Sequence, residues 1–450
     1  MKVIIIGHGA TGWTCASTLR LWNRSAEITV VDSKSYDVYH PCAMPYAIGG
    51  LFPNEEPLME KVNYSVMNIN FLRFHRALKI HRDSKVLLVE DMNSQKTKEL
   101  PYDYLILTTG SRAWVPPIKG SNASNIYTLK WIEDAKVIRE AAENASKVVV
   151  VGASAIGLEV GTELAHRGLE VVILELMPKI LPRAMDPDFA DTITEELLSS
   201  FDNLKILTDV KTEEIVSDTE GRATKILTDK GEFEADFVVM ATGVRPNIDL
   251  AKDANLEIGK FGAIVVDDKM FTNDSHILAA GDCAQAKDMV TGQPTVSLLA
   301  SYAVRMARIA AMTLAKPDTL LDIGTLNNFI VPFHTLRIGS VGLNSNDAKE
   351  RGYSVVSGKV KTHNKPAYMP DAKELTLKIL VDKNTKLLLG AQAIGPDSIT
   401  DNLNIVSLAI QNKMTVIDLL NADLCYAPAV NETIYPITQA LEMAARKLLR

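Results

Sequence analysis

Twice in this chain an apolar strand runs straight into a glycine-spaced turn that opens a helix. Val3-Ile4-Ile5-Ile6 leads into Gly7-His8-Gly9-Ala10-Thr11-Gly12, and Val148-Val149-Val150-Val151 leads into Gly152-Ala153-Ser154-Ala155-Ile156-Gly157. In the G-x-G-x-x-G pattern the first glycine makes the tight turn, the second lets backbone approach a pyrophosphate, and the third packs helix on sheet. The phosphates sit at the helix N-terminus, whose unpaired N–H groups favour anions. One such match is a weak signal. Here each is followed by a second strand ending in an acid: Asp32, twenty residues after Gly12, and Glu175, eighteen after Gly157. An acid in that place accepts hydrogen bonds from a ribose 2′-hydroxyl. Both segments therefore predict dinucleotide sites in α/β units, and a chain holding two dinucleotides is expected to move electrons between them.

The second fingerprint is less regular, because Ser154 adds a Cβ at the middle glycine position. It is read as a nicotinamide dinucleotide site. Glu175 would repel a 2′-phosphate, and Leu176-Met177-Pro178 lacks the arginine such a phosphate would want. NADH is thus favoured, with NADPH left open.

At 450 residues the chain suits two or three domains. A net charge of −7 argues against a nucleic-acid partner. No apolar run reaches the ~18 residues of a membrane span, so no membrane association is expected. Met1-Lys2 followed by Val3 to Ile6 has a faint likeness to a signal peptide, but the apolar stretch is short and enters a glycine turn. It reads as a first strand. Four cysteines (Cys15, Cys42, Cys283, Cys425) without a C-x-x-C pair, and eight histidines without H-E-x-x-H spacing, suggest neither disulfides nor a metal. A reducing cytoplasm is the expected setting.

The grammar of the first unit (strand, helix Ala10 to Trp22, strand Glu27 to Val31) restarts at Lys147 with a helix to about His166 and a strand Glu170 to Leu174. Tyr104 to Gly110 and Phe237 to Gly243 echo each other as closing strands, and Ala113 to Gly120, rich in proline, looks like a linker. A helix is expected from about Ser297 to Leu314. From about Leu321 the pattern changes to strands (Thr376 to Leu380, Lys386 to Ala393) and amphipathic helices, a separate α+β domain.

Cys42 lies in Tyr39-His40-Pro41-Cys42-Ala43-Met44-Pro45-Tyr46. A helical turn beginning at Pro41 or Cys42 would offer unpaired amides to a thiolate, and a lowered pKa would make the sulfur nucleophilic. Cys15 and Cys283 read as packing residues, and Cys425 has no assigned role.

On these residues the chain resembles the single-cysteine branch of the flavin-dependent pyridine nucleotide–disulfide reductases, namely coenzyme A-disulfide reductases and the archaeal and bacterial proteins called NADH oxidases. The matching points are Thr14-Cys15-Ala16-Ser17, Cys42-Ala43-Met44-Pro45-Tyr46, Ile156-Gly157-Leu158-Glu159, Ala241 to Asn247, Ala279-Ala280-Gly281-Asp282 and Cys425-Tyr426-Ala427-Pro428. The resemblance implies two Rossmann-like domains and a C-terminal α+β dimerisation domain: 1–112 with 244–320 for FAD, 113–243 for NAD(P)H, and 321–450 for a homodimer interface. It makes Gly7, Gly9, Gly12 and Asp32 the site for the adenosine-diphosphate part of FAD, with Asp282 at the ribityl chain or pyrophosphate. Gly152, Gly157 and Glu175 would hold NAD, with Glu159 near the nicotinamide. Thr109, Gly110 and Gly243, at the ends of the two matching strands, complete the cofactor set. Cys42 becomes the redox sulfur, and Tyr426 and Tyr368 face the partner subunit's thiol. With no second cysteine close after Cys42, the other sulfur must come from outside, as a small disulfide, thiol or persulfide.

Some residues depart from the family pattern. Val38, Leu21 and Pro41 stand where coenzyme A-disulfide reductases tend to carry serine, arginine and asparagine, which puts coenzyme A in question. Ala155 replaces an aromatic that often covers the flavin, opening it towards dioxygen. Ala10 replaces the histidine of peroxidase relatives, and Arg305-Met306-Ala307-Arg308 replaces a glutamine–glycine pair. The leading reading is an NAD(P)H-dependent reductase of a small disulfide or sulfur species through Cys42. The alternatives are an NADH oxidase reducing dioxygen at the flavin, an electron-transfer reductase for a protein partner, and a flavin-holding protein of low turnover.

Overall fold

The computed structural model describes residues 1–316, 321–333 and 336–449; the expected domain limit at 320 lies outside them. Two five-stranded parallel sheets repeat one topology. In the first, the strand order is Ile277–Ala279, Tyr104–Leu107, Lys2–Ile6, Glu27–Val31, Ile69–Leu72. In the second it is Ile126–Tyr127, Phe237–Met240, Lys147–Val151, Glu170–Leu174, Leu204–Leu207. Val3 to Ile6 and Val148 to Val151 are central and buried, as continuous apolar runs in a parallel sheet must be. Each sheet is accompanied by an antiparallel three-stranded meander, over His75–Pro101 and Thr212–Glu234.

Helices Ala10–Trp22 and Ala300–Ala315 pack together over the first sheet, with Leu19, Ala16, Met306 and Ala310 fully buried between layers. The thiols of Cys15 and Cys283 belong to this core, close to the carbonyls of Ala307 and Leu107. Arg305 has a structural account: its guanidinium lies 4.8 Å over the Tyr302 ring. It also stands 3.7 Å from Asp322, which accepts the Tyr302 hydroxyl proton at 2.6 Å.

The stretch read as a linker starts in regular structure. Ser111–Ala113 pairs antiparallel with Val244–Pro246, so the chain leaves and re-enters the first unit along a two-stranded ribbon. Two elements carry no periodicity long enough to read beforehand: a turn at Pro41–Ala43 and the short helix Met44–Gly49. From residue 329 onward an antiparallel five-stranded sheet packs against helices Ile399–Gln411 and Pro436–Leu448. Among the described residues no helix is long and apolar enough to cross a membrane.

This last unit is fixed to the second sheet by a buried charge cluster. Lys378 Nζ lies 2.6 Å from Asp186 and 2.9 Å from Asp188, at the start of helix Pro187–Ser200. The Ser345 amide and hydroxyl donate to Asp186 at 2.7 and 2.6 Å. Burial alone would raise the Asp186 carboxyl, but the hydrogen bonds from Lys378 and Ser345 overcome it and hold the group below the usual range. Removing the cation strands a carboxylate that is 1% exposed. Lys378→Ala is therefore expected to lose about 3–5 kcal/mol in urea unfolding. Because the folded carboxyl is depressed, its contribution is complete above about pH 4 and disappears as pH falls through the folded value. The difference between wild type and Asp186→Asn should vanish over that acidic window.

Candidate functional site

The two glycine turns are built alike. Gly7 and Gly152 sit at φ +101° and +107°, a region closed to most side chains, and a Cβ on either would lie 2.3 or 2.5 Å from the carbonyl oxygen of Thr108 or Ala241. A Cβ on Gly12 or Gly157 would lie 1.9 Å from the carbonyl oxygen of Gly7 or Gly152. Gly9 is different, since its Cβ would meet nothing within 4 Å. Its hydrogen opens onto free space at the N-terminus of helix Ala10–Trp22, which has no side-chain cap and no acid in its first turn. Helix Ala155–His166 is likewise uncapped by a side chain, and the Ser154 hydroxyl donates instead to the Ala241 carbonyl at 3.3 Å. Two open helix N-termini beside close-packed glycines fit a dinucleotide pyrophosphate at each turn.

Both strand-end acids are buried and perform the same task. Asp32 accepts from the His8 and Lys34 amides at 2.6 and 2.9 Å. Glu175 accepts from the Ala153 and Met177 amides at 2.7 and 2.8 Å. The Lys34 ammonium, 3.3 Å from Asp32, lies 4.6 Å over the Trp131 ring. Thr109 and Gly110 follow the strand Tyr104–Leu107, where the Thr109 hydroxyl donates to the Asn247 carbonyl at 2.7 Å and Gly110 turns at positive φ. Gly243 turns in the same way after Phe237–Met240.

Cys42 lies in the turn Pro41–Ala43, which leads directly into helix Met44–Gly49. The residue faces solvent, yet its sulfur is crowded by protein. The expected helical turn is present, but the expected lowering of the thiol is not. Burial pushes it up, Glu159 and Asp282 add to this, and Lys130 and the local backbone oppose them without prevailing. Cys15 and Cys283 are pushed up by burial as well, as inert core thiols are.

Asp282 accepts from the Ser111 hydroxyl at 2.6 Å, and Lys130 Nζ reaches that hydroxyl at 2.7 Å and Asp282 itself at 3.4 Å. Glu159, in the helix after the second glycine turn, accepts from the Tyr46 hydroxyl at 3.1 Å. The site thus brings together Cys42, Glu159, Asp282, Lys130 and Tyr46. Tyr368 and Tyr426 form a separate pair: their hydroxyls act on each other, with Glu432 nearby, and they are 74% and 47% exposed. Lys130 and Ser111 carry no sequence signal, since neither falls in a spaced motif. Tyr46 lies inside the matched segment around Cys42 but gains a role only when Glu159, 113 residues away, is placed beside it.

Substitutions at the first turn separate packing from open space. Gly12→Ala is expected to cost roughly 1–3 kcal/mol in urea unfolding. Gly9→Ala, whose Cβ meets nothing, is expected to stay within about 1 kcal/mol of wild type.

Comparison with known proteins agrees with this construction. Residues 1–307 match the family model for pyridine nucleotide-disulphide oxidoreductase, and 329–436 match the dimerisation domain of the same group. An NADH oxidase from Methanocaldococcus jannaschii is 34% identical, covering 100% of this chain and 99% of its own length. A coenzyme A-dependent NAD(P)H sulfur oxidoreductase from Pyrococcus abyssi is 32% identical, covering 99% and 98%. Among solved structures, an NAD-dependent persulfide reductase from A. fulgidus superposes with a TM-score of 0.94 at 32% identity, covering 99% of this chain and 83% of that one.

Proposed function

The chain belongs to the pyridine nucleotide–disulphide oxidoreductase family, and from that premise we propose that it is an FAD-dependent reductase carrying electrons from NADH to a small disulfide or sulfur species at Cys42. The single observation that carries this reading is the position of the Cys42 sulfur among Glu159, Lys130 and Asp282, where residues of both nucleotide-binding units converge. FAD is assigned to Gly7, Gly9, Gly12, Asp32, Thr109, Gly110 and Asp282, and NADH to Gly152, Gly157, Glu159, Glu175 and Gly243. When bound, the flavin supplies two-electron chemistry between nicotinamide and sulfur.

The chain's own residues hold, exclude and shift charge. The turns at Gly7 and Gly152 present amides to phosphate, and Asp32 and Glu175 stiffen those turns from the neighbouring strand. Lys130 supplies a positive charge acting on the Cys42 sulfur and favours its thiolate. A thiolate there attacks a sulfur–sulfur bond of the substrate, forms a mixed disulfide and releases the other sulfur as a thiolate or sulfide. Regenerating Cys42 takes two electrons and a proton for the second departing sulfur. Residues 329–436 match a dimerisation domain, so the working unit is assigned as a homodimer. In that dimer we assign Tyr426 and Tyr368 to the neighbourhood of the partner subunit's thiol, where a phenol can donate to a leaving sulfur. A reducing cytoplasm suits a free, exposed Cys42.

The second reading is reduction of dioxygen by the flavin. Ala155 opens helix Ala155–His166 with only a methyl group, and the relative from M. jannaschii bears the name NADH oxidase. Anaerobic NADH consumption with coenzyme A disulfide and with polysulfide separates the two. Cys42→Ser is expected to lower these rates at least about a hundredfold while leaving NADH oxidation in air nearly intact. A mutant that keeps its full rate with every sulfur acceptor would exclude the sulfur-reductase reading.

Glu175 sets nucleotide preference in this account. Replacing it with alanine together with Met177→Arg is expected to shift the NADPH/NADH ratio of kcat/KM upwards by at least roughly tenfold. The ratio is read directly from initial rates with each nucleotide.

A further inference from the structure

Helix Met44–Gly49, which follows Cys42, packs against helix Ala155–His166 of the second glycine turn. The contact is close. A Cβ on Gly49 would lie 1.8 Å from Glu163 Oε2, and Arg167 Nη1 donates to the Ile48 carbonyl at 3.0 Å. Across this seam Tyr46 donates its hydroxyl proton to Glu159 at 3.1 Å. Glu159 is therefore held by the short helix that directly follows the turn carrying the sulfur, though it belongs to the other nucleotide-binding unit.

The charges around this carboxyl are unbalanced. From its own helix Glu163 faces it one turn on, a like charge, and His166 acts on Glu163. From the opposite helix comes the Tyr46 phenol, and from the turn before it the Cys42 sulfur. Lys130 and Asp282 act on Cys42 from the other side. Burial and the Glu163 charge both disfavour its ionised form, and the Tyr46 hydrogen bond favours it. An ionised Glu159 therefore opposes a thiolate at Cys42, while a neutral one does not.

We propose that Glu159, held by Tyr46, is a positioning residue that sets the charge of the Cys42 sulfur, so that the helix of the second nucleotide site controls the thiol of the first unit. The proposal rests on Cys42 being the reactive sulfur. Burial pushes the Glu159 carboxyl up to about 7, with Glu163 adding to this and the Tyr46 hydrogen bond resisting it. The carboxyl thus changes charge close to neutrality. It is therefore ionised through the alkaline range in which the raised Cys42 thiol loses its proton, and its negative charge holds that proton on sulfur.

The test is the pH dependence of Cys42 alkylation by iodoacetamide in the FAD-loaded enzyme, reduced, freed of reductant and scored by mass spectrometry of the Cys42 peptide. Glu159→Gln is expected to move the midpoint down by at least about half a pH unit and raise the rate at pH 7.5 roughly threefold. Tyr46→Phe, which frees the Glu159 carboxyl to move away from the sulfur, should move it in the same direction by less. Glu159→Asp, which keeps the charge, should restore the wild-type midpoint. A purely structural disturbance would change rates at every pH without moving the midpoint. An unmoved midpoint in Glu159→Gln, or an aspartate variant that behaves like glutamine, would overturn the proposal. Full sulfur-acceptor activity in Cys42→Ser would instead overturn the assigned function, and leaves this titration unaffected.

Discussion

A carboxylate at the end of one strand, gripping the amide of the glycine turn on its neighbour, is the interaction on which the rest depends. Asp32 does this to His8 and Glu175 to Ala153. The turn itself is crowded, with Gly7 and Gly12, or Gly152 and Gly157, packed too tightly for any side chain. Crowding alone fixes where the backbone cannot go; the carboxylate fixes where the N–H groups point. The helix that follows is left uncapped in both units, so its first amides remain available to phosphate rather than to the protein. A preformed anion cradle of this kind costs little to organise when a nucleotide arrives.

The two cradles matter chemically because of how their units meet. The segment bearing Cys42 is not part of either sheet. It is a turn and a short helix whose buried residues Met44, Ala47 and Ile48 belong to the core of the second unit. The sulfur is thus carried by one unit and packed by the other. A reactive thiol on a short helix would otherwise be free to move, and this packing removes that freedom by ordinary apolar burial, roughly 1.5–3 kcal/mol for a side chain the size of Met or Ile.

Much of this was legible in the sequence. The helix Ala10–Trp22 and the strands Glu27–Val31 and Glu170–Leu174 have the limits their patterns indicate, because apolar runs flanked by glycine and an acid leave few alternatives. The helix expected from about Ser297 to Leu314 begins three residues later, at Ala300, and ends one later, at Ala315, because helix ends are the least sharply encoded part of a helix. What the sequence concealed is tertiary. Met44–Gly49 is too short for a period, and Lys130 reaches Asp282 across 152 residues. The direction of the Cys42 thiol was misjudged for the same reason: the local turn favours the anion, but the distant Glu159 and Asp282, together with burial, outweigh it. Local rules describe the turn correctly and miss the company it keeps.

The ribbon that joins Ser111–Ala113 to Val244–Pro246 has a consequence for biosynthesis. Strand Ile277–Ala279 and helix Ala300–Ala315 complete the first sheet and its helical layer, yet they emerge from the ribosome after the whole second unit. Until then the edge of Tyr104–Leu107 lacks its Ile277–Ala279 neighbour, and Ala10–Trp22 lacks the helix that packs alongside it. The nascent amino-terminal unit must wait, half-assembled, for the middle one to be made. A chaperone that shelters an unfinished parallel edge has its longest task in that interval.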